Sequence, residues 1–67
     1  MYDVVQNGKR LAALRGERKG EEVAAAVDIT VSALYNYERG IRSPRDEIKQ
    51  KLADYYGTTV GALFFNE

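Results

Sequence analysis

The side chains with the plainest chemistry in this chain are Arg39, Arg42 and Arg45, three arginines within seven residues that include no acid. Guanidinium groups grouped in this way bind phosphate oxygens, which requires charge and hydrogen-bond donors but no proton transfer. A second basic stretch, Lys9, Arg10, Arg15, Arg18 and Lys19 against Glu17, lies earlier in the chain. Most C-terminal acids, Asp46, Glu47, Asp54 and Glu67, lie apart from both stretches. A chain with 10 Lys plus Arg, 10 Asp plus Glu and no net charge is therefore expected to be polarised. Covalent chemistry has little to work with. There is no cysteine and no histidine, so disulfides, thiol nucleophiles and the usual zinc, haem and iron–sulfur ligand sets are excluded. Without a Gly-rich phosphate loop or a nucleophile motif, the residues argue against an enzyme, a metal site or a cofactor. No small-molecule ligand is expected.

The elements that must position these groups are helical. Val4, Val5, Leu11 and Leu14, with Ala12 and Ala13, make a helix-spaced stripe that predicts a first helix from Val4 to Arg15, stopped by Gly16. Gly20 to Val27 carries Glu21 and Glu22 in its first turn and sets Val23, Ala24 and Val27 on one face. Asp28-Ile29-Thr30 breaks that pattern, and Thr30 is placed to cap a third helix from Val31 to Glu38. A loop opened by Gly40 follows, and Ser43-Pro44-Arg45-Asp46 reads as a helix start with Ser43 at N-cap and Pro44 at the first helical position. That helix carries Ile48, Leu52, Tyr55 and Tyr56 and ends at Gly57. Thr59 can cap a last turn or two holding Val60, Leu63 and Phe64.

Sixty-seven residues hold a single domain, 1–67. A core of this size rarely supplies more than about 3–5 kcal/mol, so efficient helical packing, a partner subunit, or both are expected. With 45% apolar residues and no net charge, the chain should fold. No apolar run approaches the ~20 residues that cross a bilayer, and Met1-Tyr2-Asp3 lacks the basic-then-apolar order of a signal peptide, so no membrane association and a cytoplasmic location are expected.

Helix, three-residue turn, helix, flanked by supporting helices, is the plan in which the second helix of the pair lies in the DNA major groove. Glu22-Val23-Ala24, Ile29-Thr30, Ser32-Ala33-Leu34, Tyr37-Glu38-Arg39-Gly40 and Pro44, in this order and at these spacings, resemble the Cro/CI helix-turn-helix family, also called the XRE family. The likeness continues through Leu52-Ala53-Asp54-Tyr55-Tyr56-Gly57 and Val60-Gly61-Ala62-Leu63-Phe64, which are similar to the family's fourth and fifth helices. The resemblance implies an all-α, five-helix lambda-repressor-like DNA-binding domain. It also implies a phage- or mobile-element-type regulator, usually a repressor, binding double-stranded operator half-sites as a homodimer. By position, Leu14, Val23, Ala24, Val27, Ile29, Leu34, Leu52 and Leu63 would form its core, and the outward residues of Val31 to Asn36 would read bases. Arg15 and Glu38 match positions that are mainly structural in the family, and here an ion pair could tie one helix to the other. Gly20 departs from the pattern, standing where the family usually places a Gln, so that only backbone N–H groups remain there.

If Leu34 points inward, Ser32, Tyr35 and Asn36 fall on or beside the opposite face, with Val31 at the exposed N-terminal end. These four are the expected base contacts: Asn36 can pair with adenine, Ser32 can bond several bases and Val31 offers methyl surface to thymine. Tyr35 can alternatively stack on Tyr55 or Tyr56, reach a phosphate, or cover apolar surface. Lys19, Gly20, Thr30, Arg39, Arg42 and Arg45 are the expected phosphate contacts. Adjacent helical residues lie about 100° apart, so one of Phe64 and Phe65 is expected at the surface, and Val60, Phe64 and Phe65 are candidates for a dimer patch. The other function this fold admits is an antitoxin or protein-interaction module, which would not need the arginine cluster.

Overall fold

Asp3 opens the first helix, its carboxylate accepting the backbone N–H groups of Val5 and Gln6 at 3.1 and 3.2 Å. A short acceptor side chain at this point satisfies donors that the helix itself leaves unpaired. In the computed structural model, which describes residues 3–65, α1 spans Val4–Arg15, α2 Gly20–Ala26, α3 Val31–Glu38, α4 Asp46–Tyr56 and α5 Val60–Phe64. Gly57 closes α4 in the left-handed region at φ 70°, where a residue without Cβ is cheapest. Thr30 and Thr59 cap α3 and α5 through their hydroxyl oxygens, which accept the N–H groups of Ala33 and Ala62 at 3.1 and 3.0 Å.

One boundary differs from the sequence reading. Ser43 and Pro44 do not open α4; the helix starts at Asp46, after an extended Arg45 with ψ 162° and no side-chain cap. Pro44 is buried, and the free N–H groups of the first turn are offset by Asp46 and Glu47 acting on the helix dipole. α2 likewise ends at Ala26, with Val27 as its buried C-cap residue.

One core joins all five helices: Leu11 from α1, Val23 and Ala24 from α2, Val27, Leu34 from α3, Ile48, Leu52 and Ala53 from α4, and Leu63 and Phe64 from α5. Ile29 is only partly buried against this core, and Leu14 is 38% exposed, so neither is a full core member as the resemblance implied. For Leu14 the reason lies at Gly8. A Cβ built there would collide with the Glu38 carbonyl and lie 2.7 Å from that of Tyr37. Backbone therefore meets backbone where α1 crosses the end of α3, and the inward face of α1 becomes Asn7, Gly8 and Leu11. Leu14 is left at the flank. Among the described residues no helix is long and apolar enough to cross a membrane.

Candidate nucleic-acid interface

The connection between α2 and α3 is tight because Val27, Asp28 and Ile29 return their N–H groups to Val23, Ala25 and Ala24 of the helix just left, at 3.1, 3.3 and 2.9 Å. Asp28 turns the corner at φ 59°, a left-handed conformation that Asp tolerates better than most side chains. α3 then leaves in a fixed direction. Leu34, with no exposed surface, anchors it, and Ser32 and Asn36 fall about 160° around the helix from that anchor. Ser32 is exposed, while Val31, Tyr35 and Asn36 are half-buried, Val31 partly packed on the core.

Beyond α3 the chain folds back on itself. The Asn36 carbonyl accepts from the N–H groups of Ile41 and Arg42 at 3.0 and 3.3 Å, which holds the start of the arginine loop against the helix. Arg39, Arg42 and Arg45 are all exposed. The second basic stretch divides differently. Arg10 donates to the Asn7 side chain at 2.8 Å and the Leu63 carbonyl at 3.4 Å. Arg15 is paired with Glu38, and Arg18 lies over the rings of Tyr55 and Tyr56, 5.6 Å from each centroid. These three guanidinium groups contact the scaffold, Arg18 from an exposed position, and Lys9 and Lys19 are exposed as well.

The expected Arg15–Glu38 pair is present and geometrically strong. Arg15 Nε and one terminal nitrogen donate to the two Glu38 oxygens at 2.7 and 3.1 Å, and its other terminal nitrogen donates to the Arg18 carbonyl at 2.9 Å. Hydrogen bonding to Glu38 raises the pKa of Arg15 further above its ordinary value. Tyr35 stacks on neither Tyr55 nor Tyr56; those two rings pack edge to face at 5.2 Å. Instead its ring lies 5.5 Å from the Arg15 guanidinium carbon and 5.9 Å from that of Arg39.

Burial bears on two of the expected contacts. Gly20, expected to offer its backbone to a phosphate, is withdrawn from the surface, with the Tyr35 ring lying across it. Phe64, expected on the dimer patch, is fully buried, because the adjacent Phe65 takes the outward direction at 39% exposure. Phe65 and half-buried Val60 remain as the surface candidates there. Sequence reasoning did not find the buried Lys49, whose ammonium sits 5.8 and 5.2 Å from the Phe64 and Phe65 ring centroids. It also missed the helix crossing, although a glycine inside a helical stripe was a signal for close approach.

A short, tightly hydrogen-bonded turn between α2 and α3, with the second helix braced from behind and arginines beyond its end, defines a helix-turn-helix DNA-binding domain. Comparison with known proteins agrees. The Helix-turn-helix family model (HTH_3) matches residues 11–63, and the chain belongs to this family, of the XRE type. Its fold is similar to that of the restriction-modification controller protein C.AhdI from Aeromonas hydrophila, with 30% identity and a TM-score of 0.83 over 92% of this chain and 97% of that one. It is also similar to the DNA-binding domain of BldD, with 27% identity and a TM-score of 0.74 over 92% and 93% of the two chains. The clp gene regulator ClgR from C. glutamicum, at 21% identity and a TM-score of 0.75 over 88% and 79%, shares the fold. No curated protein matches the chain. The family and these neighbours support DNA-binding transcription regulation.

Proposed function

We propose that this chain is a repressor that binds a palindromic double-stranded operator as a homodimer, with α3 in the major groove. The observation that carries this reading is the outward side of α3 and the exposed arginines that follow it. Leu34 anchors α3 inward, Ser32 and Asn36 stand opposite, Tyr35 stands beside them, and exposed Arg39, Arg42 and Arg45 follow the helix end. Ser32, Tyr35, Asn36 and the Val31 methyls read base edges, while the three arginines with Lys19 neutralise phosphates. Thr30 joins them because its oxygen is used as the α3 cap but its own O–H remains a donor. The dimer forms through Val60 and Phe65 on and after α5.

Control of restriction-modification genes is a narrower second reading. It is favoured by the 30% identity to C.AhdI over nearly the whole of both chains.

Selection from a randomised duplex pool tests the proposal, followed by anisotropy titration and sedimentation of the winning complex. The expected result is a palindrome with half-sites about one helical turn apart, bound by two chains and preferred over scrambled DNA by about 10³ or more. No enrichment over scrambled DNA would overturn the reading and favour a protein-interaction module.

A further inference from the structure

Gly20 occupies the first position of α2 with an ordinary backbone conformation, so its φ angle does not require glycine. Glycine is a poor helix former, and alanine would favour the helix. What the missing side chain provides is space. A Cβ at Gly20 would meet the Tyr35 hydroxyl oxygen and lie 2.6 Å from Cζ and 2.9 Å from Cε1 of the same ring. The tip of the Tyr35 ring thus rests on the α-carbon of Gly20, across the gap between the two helices of the helix-turn-helix.

The same ring is held elsewhere by charge. Arg15 and Arg39 place their guanidinium carbons 5.5 and 5.9 Å from its centroid, and Arg15 is itself fixed by two hydrogen bonds to Glu38. Side chains from α1 and the end of α3, together with backbone from α2, therefore converge on one tyrosine of the reading face. Any side chain at position 20 would push the hydroxyl out of this seat. The displaced group is the far end of a flexible side chain, so the helices themselves need not move.

We propose that Gly20 is a positioning residue for DNA recognition: by carrying no side chain it seats the Tyr35 hydroxyl, and the two residues act as one specificity element shared between α2 and α3. This rests on the reading that α3 contacts DNA. It adds that a buried residue with no side chain sets which sequences are preferred.

The test uses the full chain and the duplex that the wild-type protein selects from a randomised pool. Gly20→Ala, Tyr35→Ala and the double variant are titrated against that duplex and a scrambled one, and each is melted by circular dichroism. Gly20→Ala is expected to melt no lower than wild type yet to lose about tenfold in affinity for the selected duplex, the scale of one polar contact. Its ratio of selected to scrambled affinity should fall with it. The double variant should bind no worse than Tyr35→Ala, since the ring that the added methyl group displaces is already gone. Unchanged preference in Gly20→Ala, or losses that multiply in the double variant, would overturn the proposal. A lowered melting temperature in Gly20→Ala would overturn it too, by making Gly20 a packing residue. A wild-type chain that enriches no sequence is a separate result, against DNA reading itself.

Discussion

Arg15 near the end of α1 grips Glu38 at the end of α3 with two hydrogen bonds, and the Glu38 side chain is only 7% exposed. Pairs of this kind matter less for their net attraction than for what is left when one partner is removed. Glu38→Gln should therefore destabilise the fold by about 1–3 kcal/mol in urea unfolding. Specific DNA binding should persist wherever the variant remains folded. Lost binding at an unchanged melting temperature would instead place Glu38 in the interface.

Gly8 and Gly20 should respond oppositely to alanine. At Gly8 the new Cβ would run into the carbonyls of Tyr37 and Glu38, which cannot swing away as a side chain can. Gly8→Ala should cost about 2 kcal/mol, overpacking outweighing the gain of up to about 1 kcal/mol in helix propensity. Thermal melts of the two variants side by side would check this.

The Tyr56 hydroxyl is buried with no hydrogen-bond partner among the described residues, and burial pushes its pKa up to about 12. A group whose folded pKa lies above its unfolded value contributes stability below the unfolded pKa and loses it as pH rises through the folded one. Wild type should lose stability between about pH 10 and 12 through this group, and Tyr56→Phe should lose less over that window. At neutral pH Tyr56→Phe should be as stable as wild type or more so, since an unsatisfied buried hydroxyl is removed. Chemical denaturation at each pH, reported as the difference between the two proteins, isolates Tyr56 from the other tyrosines.

Arg42 and Arg45 are exposed and stand in the loop that follows α3. Replacing either by Ala should lower the salt slope of DNA binding by about one and leave stability within about 0.5 kcal/mol. Titrations at several salt concentrations read the slope directly. An unchanged slope would take that arginine off the phosphate path.

Within Val31–Glu38 there is no arginine or lysine to pair with guanine. The base pairs touched by α3 should therefore be richer in A·T than G·C, with Asn36 on adenine and Val31 on thymine methyls. Sequenced pools from the selection would show this, and G·C-rich half-sites read by α3 would contradict it.

The helices were legible because their signals are local. The bounds of α1 and α3, the caps at Thr30 and Thr59 and the stop at Gly57 all follow from residues within a turn of one another. α4 was misjudged at its start because the burial of Pro44 against the rest of the chain outweighed a locally favourable Ser-Pro cap. The likeness to known regulators pointed to α3 as the helix to place in the groove, but not to how Tyr35 is seated. That depends on the distance between Gly20 and a ring fifteen positions later, and on which arginines the scaffold uses. Leu14 shows the same limit, since a stripe gives a helix face but only the crossing at Gly8 fixes its rotation.

That crossing bears on the thermodynamics of association. α1 presses on the last carbonyls of α3 at Gly8, and its Val5 backbone lies where a Cβ on Gly40 would come within 2.9 Å. α3 and the start of the arginine loop are thus fastened to the same rod before any DNA arrives. A surface ordered in advance has little backbone entropy left to lose on contact. The heat-capacity change of binding should then be small, reporting only the surface closed between protein and duplex, without the large additional term that accompanies folding on a template.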